Sequence, residues 1–330
     1  MELLKKPPKF PFLFLPTIVI ENALRNLNPI ELINISQISK RCHKIIKFST
    51  RMNPFKLTLD FCWSPRITIN TGQNSYNMVA SFFPQNYNPY LDTYGCLKIF
   101  WHAKWTDYIL DALNCKINRF TIRSEECFYS FPFIIDWLST TKHCLDSVLF
   151  EGNAITSEHL KLFLEACKAT KALTLILYQS YEIVPFEFDA IRMDYVYIAG
   201  RTHTLNWISM NHIMHFDCVD LLLGEFAFSE QEMNVFLKEF LKGRILPRMK
   251  YFQIQLLPMS FQFLTDGIEV NQRERTVIRE YIHKYPMLSI PFRGGTDVRK
   301  ESGELVTFEQ SPPPNPFDPN CKARFRMVVW

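Results

Sequence analysis

Short apolar segments recur along this chain at a nearly regular distance, and that recurrence narrows the possible folds more than any other feature. They start at Ile117, Leu145, Leu173, Met193, Cys218 and Met249, separated by 28, 28, 20, 25 and 31 residues. The clearest is LDSVLFEGNAI, in which Leu145, Val148, Phe150, Asn153 and Ile155 follow the pattern LxxLxLxxNxI. Alternation of this kind turns one face of a short strand toward a core, because successive strand side chains point to opposite sides. The other segments echo it as Phe120 and Ile122, Ile176 and Tyr178, Val196 and Ile198, Leu221 and Leu223, and Phe252 and Ile254. The spacing predicts parallel strands at 145–150, 173–177, 193–198, 218–223 and 250–255, lying side by side.

Amphipathic helices fit between the strands. Ser229-Glu230-Gln231-Glu232 is a capping box, followed by Met233, Phe236, Leu237, Phe240 and Leu241 on one face and a stop at Gly243. An earlier counterpart starts near Ser157 and buries Leu160, Phe163, Leu164 and Cys167. The spacing predicts helices over 157–168 and 230–242. The two Phe-Leu pairs are offset by 73 residues, and Asp146-Ser147-Val148 matches Asp217-Cys218-Val219 at nearly the same offset. This reads as a strand–helix duplication. Intervals of this size are those of leucine-rich repeats, so residues 53–187 are read as a repeat-like strand–helix region.

Residues 10–51 form a separate helical unit. After Leu15-Pro16, the stripe Ile20, Ala23, Leu24 and Leu27 marks one face of a helix. Asn28 caps a second helix, with Pro29 in its first turn and Glu31 reaching back. A third runs from Ser36 or Ser39 to Ser49, with Ile38, Cys42, Ile45 and Ile46 turned inward. At the other end, Thr296 to Phe308 reads as a hairpin turning at Glu301–Glu304, and Phe325 to Trp330 as a final strand. SPPPNPFDPN between them is a loop, since its prolines deny it ladder hydrogen bonds. The expected fold class is α/β: an N-terminal helical unit, an irregular leucine-rich-repeat-like strand–helix array, and a small C-terminal β segment.

Composition excludes several functions. The chain has 10 glycines in 330 residues, where the usual ~7% would give roughly 23. No GxGxxG or GxxxxGK[ST] occurs, so a nucleotide site built on a glycine-rich loop is not expected. The nine cysteines stand singly, as reduced intracellular thiols do. The apolar stretch FPFLFLPTIVI is broken by Pro11 and Pro16 and is far short of the roughly 20 residues of a membrane span, so a soluble intracellular protein is expected.

Candidate chemistry is sparse. NHIMHFDC brings His212, His215, Asp217 and Cys218 within seven residues, but no second ligand pair accompanies them and Cys218 falls in an expected strand. No metal, cofactor or catalytic residue is expected. Lys40, Lys44, Lys47 and Arg51 line one helix face and offer an alternative reading as a nucleic-acid binder. A solvated helix face is the simpler account.

FPFLFLPTIVIENALRNLNPIELINISQISKRCHKIIK resembles an F-box. Leu15-Pro16, Leu24, Leu27, Pro29-Ile30-Glu31-Leu32 and Ser39-Lys40-Arg41 carry the resemblance, and His43 departs from it where many F-boxes have a bulky aromatic. The downstream chain resembles nematode F-box proteins with an F-box-associated domain of type 2, best over 188–258, with residues 259–330 as a closing helix, hairpin and strand. The resemblance implies a non-catalytic, substrate-recognition subunit of an SCF-type cullin–RING ubiquitin ligase. Phe12, Leu15, Pro16, Ile20, Leu24, Pro29, Ile30, Leu32 and Ser39 would contact a Skp-family adaptor, which joins cullin and RING subunits. The repeat-like region would bind a protein substrate.

Overall fold

A computed structural model describes residues 14–51, 55–62, 65–72, 74–79, 93–123, 130–141, 145–153, 155–167, 169–178, 185–187, 191–200, 202–284, 287–311 and 322–330. Three helices come first: α1 (Thr17–Arg25), α2 (Pro29–Ser36) and α3 (Lys40–Ser49). Then follow β1 (Lys56–Phe61), β2 (Arg66–Asn70), β3 (Ser75–Val79), α4 (Thr93–Ala112), β4 (Lys116–Arg123), α5 (Phe131–Thr140), β5 (Leu145–Gly152), α6 (Ser157–Ala166) and β6 (Ala169–Leu177). The remaining elements are β7 (Tyr195–Gly200), α7 (Met210–Met214), β8 (Asp220–Glu225), α8 (Glu230–Leu241), β9 (Tyr251–Leu256), α9 (Phe261–Leu264), β10 (Asn271–Lys284), β11 (Met287–Arg299), β12 (Leu305–Ser311) and β13 (Ala323–Val329).

All the strands join one sheet in the order β10-β11-β12-β13-β9-β8-β7-β6-β5-β4-β1-β2-β3. From β4 to β9 each strand is parallel to the next in chain order, and β1 joins this run as a parallel neighbour of β4. β6 pairs with β7 and β9 with β13, so strands from the regions read in the sequence share one sheet. The C-terminal β segment is larger than expected: β10 to β13 form an antiparallel meander whose first hairpin has strands of 14 and 13 residues. The hairpin read from the sequence corresponds to β11 and β12, with Thr296 opposite Phe308. The proline-rich loop lies outside the described residues, apart from its first serine.

Two rows of apolar side chains cross the sheet on one face. Leu59, Phe120, Val148, Leu173, Val196, Leu221 and Phe252 are successive partners in the ladder, as are Phe61, Ile122, Phe150, Leu175, Ile198, Leu223 and Ile254. All are buried. The helices lie on this face: His102 of α4 and Trp137 of α5 pack on Phe61, Phe163 of α6 on Phe150, and Phe236 of α8 on Phe252.

The rows correct two expectations. In β6 the inward residues are Leu173, Leu175 and Leu177, so Ile176 and Tyr178 stand on the opposite face; a one-residue slip reverses every side chain of a strand. In β8, Leu221 and not Val219 occupies the place of Val148. Strand and helix thus share the offset of 73, from Val148 to Leu221 and from Phe163 to Phe236.

Part of the opposite face is covered by the C-terminal hairpin. Gly294 and Gly295 have φ of 75° and 94° where β10 bulges between Arg273 and Ile278, and a Cβ on Gly295 would meet the Phe308 carbonyl oxygen at 2.7 Å. At this corner the outer half of the β10–β11 hairpin turns over the sheet. It packs Phe292 and Tyr281 on Tyr251 and Val328.

Candidate functional site

The helices of residues 14–51 combine strong local signals with an apolar surface left open. Asn28 Oδ1 accepts hydrogen bonds from the backbone N–H of Ile30 and Glu31, and Glu31 accepts one from the Asn28 N–H at 2.8 Å. Ser39 Oγ accepts from the Cys42 N–H and starts α3. Ile20, Leu24, Leu32, Ile33, Cys42 and Ile46 are buried, and most of these join the same core as the body of the sheet. Ala23 is exposed and Leu27 half-buried on the predicted α1 stripe. Ile38 is 73% exposed rather than inward, because it lies in the α2–α3 turn before the cap.

Phe14, Ile18 and Val19 are exposed around the start of α1, at 82%, 68% and 45%, and Pro16 lies exposed among them. Apolar side chains exposed this close together form a patch rather than scattered single residues. The sequence does hold a signal for these residues: TIVIENALR places apolar side chains at Ile18 and Val19, off the buried stripe.

This unit is clamped to α4. Ser36 Oγ and Tyr108 Oη are 2.7 Å apart. Asp111 accepts from His43 Nε2 at 2.7 Å and from Lys47, and the His43 ring packs on Tyr108. The hydrogen bond from Lys47 is the main cause that holds the Asp111 carboxyl below its usual pKa. His43, the departure noted in the sequence, is thus a polar contact to α4. On the α3 face Lys47 is paired with Asp111 and Arg51 lies over the Phe48 ring, while Lys40 and Lys44 have no carboxylate partner among the described residues.

Of the residues the resemblance implied, Pro16 and Ser39 are exposed and Leu15 and Ile30 half-buried. Ile20, Leu24, Pro29 and Leu32 are buried. Phe12 lies outside the described residues.

The other candidates disperse. His212 closes the cap of α7 with Ser209, His215 Nδ1 bonds the Asn211 carbonyl, and Asp217 is held by Arg248 at 2.6 Å and Arg192 at 3.1 Å. Cys218 is fully buried, which pushes its thiol pKa far up. Among the described residues no group of three or more His, Cys, Asp or Glu is placed to hold a metal ion. Burial likewise pushes His102 down to about 4, which leaves it neutral against Phe61. No helix of the described residues is long and apolar enough to cross a membrane.

Comparison with known families agrees with this division. Residues 12–51, the span of α1 to α3, match the F-box domain model. Residues 180–254, which contain β7, α7, β8, α8 and most of β9, match the F-box associated model. No curated protein and no solved structure gives a match. The chain therefore carries an F-box domain at its N-terminal helices and an F-box-associated domain within its parallel sheet.

Proposed function

We propose that this protein is the substrate-recognition subunit of an SCF-type cullin–RING ubiquitin ligase, akin to the nematode F-box proteins with a type 2 associated domain. In this reading it has no catalytic role: the F-box docks a Skp-family adaptor, which brings cullin and RING subunits, and the sheet-bearing body binds the target protein. The observation that carries the reading is the apolar surface of Phe14, Pro16, Ile18 and Val19, within the residues that match the F-box domain. The ordered run of parallel strands β4 to β9, with α4, α5, α6 and α8 packed on one face, supports a leucine-rich-repeat-like description of the body.

The test is co-purification with a Skp-family adaptor. Changing Leu15 and Pro16 together to Ala should weaken retention by about 2–4 kcal/mol, about 30-fold to nearly 1000-fold, as interface hot spots do. Leu15 also touches the core, so Ile18→Ser serves as a second variant at an exposed position. Circular dichroism controls for folding. A folded wild-type chain that retains no Skp-family adaptor would overturn the reading.

A further inference from the structure

On the sheet face turned away from the helices the β10–β11 hairpin packs at β8, β9 and β13, and from β1 to β7 the described side chains of this face include buried ones, such as Thr121, Ala172 and Tyr195, and exposed or partly exposed ones. The exposed and partly exposed ones have a definite chemistry. Leu149, Thr174 and Tyr197 are successive ladder partners across β5, β6 and β7, all partly exposed, and Ile176 stands beside them. Toward β1 and β2 the face becomes basic. Arg119 lies between Thr58 and Ser147 in the ladder, and Arg66 lies opposite Asp60.

Charge balance there is uneven. The carboxylates of Asp60 and Glu151 sit 3.5 Å and 3.7 Å from Arg123, and Glu151 also accepts from the Tyr178 hydroxyl at 3.1 Å. Arg66 and Arg119 are exposed and have no carboxylate partner among the described residues. Three guanidinium groups, Arg66, Arg119 and Arg123, thus stand against two carboxylates, Asp60 and Glu151, next to a partly exposed aliphatic and aromatic strip. Its complement is negative charge adjoining an apolar side chain.

We infer that this face receives an extended segment of a partner protein in which acidic residues adjoin an aliphatic or aromatic anchor. The acid pairs with Arg66 and Arg119, and the anchor packs on Leu149, Ile176 and Tyr197. A peptide fits better than nucleic acid because Asp60 and Glu151 lie among the arginines and oppose a continuous phosphate chain, whereas isolated carboxylates of a peptide can be spaced to reach Arg66 and Arg119 alone. The inference rests on the reading of the body as the target-binding part, and it names the class of target.

The test is selection of displayed random 12-residue peptides on the full-length protein at low salt. Enriched peptides should combine Asp or Glu with Leu, Ile, Phe, Tyr or Trp. Their binding should weaken at least tenfold in Arg119→Glu and in Tyr197→Ala, and should be unchanged in Lys161→Glu, which alters the helix side. No enrichment, a basic consensus, or indifference to Arg119→Glu would overturn the inference. So would equal displacement of the peptide by a 20-nucleotide oligo(U), or blockage of the face by self-association in light scattering. Adaptor retention is measured on the same proteins. A peptide failure with adaptor retained counts against this face alone, whereas loss of adaptor from wild type counts against the ubiquitin-ligase reading.

Discussion

Tyr281 on β10 donates its hydroxyl hydrogen to Asp220 on β8 at 2.6 Å, although five strand positions separate β10 from β8 in the sheet. Flat strands at about 4.8 Å each would hold them roughly 24 Å apart. The contact exists because the β10–β11 hairpin turns over the sheet, and His283 joins it from the same strand, 3.0 Å from the second Asp220 oxygen. Asp220 and His283 are both buried, so this is a latch in which each group needs the other.

Removing one hydrogen bond should loosen the latch without emptying the core. Tyr281→Phe should cost about 1.5 kcal/mol, since its acceptor is a carboxylate. Hydrogen exchange should quicken in 278–284 and 287–293 and stay unchanged in β4 to β6. Uniform acceleration across the sheet would show that the hairpin is no independent latch.

The 73-residue correspondence can be tested by paired cavities. Phe163 and Phe236 are fully buried at equivalent places, one against Phe150 and the other against Phe252. Either change to Ala should cost about 3–5 kcal/mol in urea unfolding. The two costs should be similar, and near-additive in the double variant because the sites share no partner.

Asp111 makes stability depend on acid. Its pKa is lowered in the folded chain, so its contribution is present above the unfolded value of about 3.9 and is lost as pH falls below it. The side chain is 53% exposed and screened by solvent, which limits the effect of Asp111→Asn to about 0.5 kcal/mol at pH 7. Urea midpoints of wild type and variant should differ at pH 7 and converge near pH 2–3. A constant difference would mean that the ion pair is not the cause.

Zinc should have no effect on the native chain. His212, His215, Asp217 and Cys218 are each committed to other partners or to the core. Elemental analysis of purified protein should find no stoichiometric metal, and a maleimide should leave Cys218 unmodified until denaturant is added. One tightly held zinc per chain, lost in the double variant His212→Ala and His215→Ala, would contradict this arrangement.

Local signals in the sequence were enough for the caps and for most of the strands. Asn28 with Glu31 and Ser229 with Glu232 form the expected reciprocal hydrogen bonds, because a cap needs only groups three residues apart. Strand positions at β5, β8 and β9 were legible from alternation, and the F-box helices from periodicity. Facing was ambiguous where both faces of a strand carry apolar residues. In β6, Leu173 to Leu177 carries apolar residues on both faces, so Leu175 and Ile176 were equally good inward choices until the neighbours Phe150 and Ile198 set the register. The clamp of His43 on Asp111 and the latch of Tyr281 on Asp220 join residues 68 and 61 positions apart. No local pattern encodes such pairs. Those were decided by the tertiary structure, in which a bulge and two left-handed glycines at one corner bring the hairpin over part of the sheet.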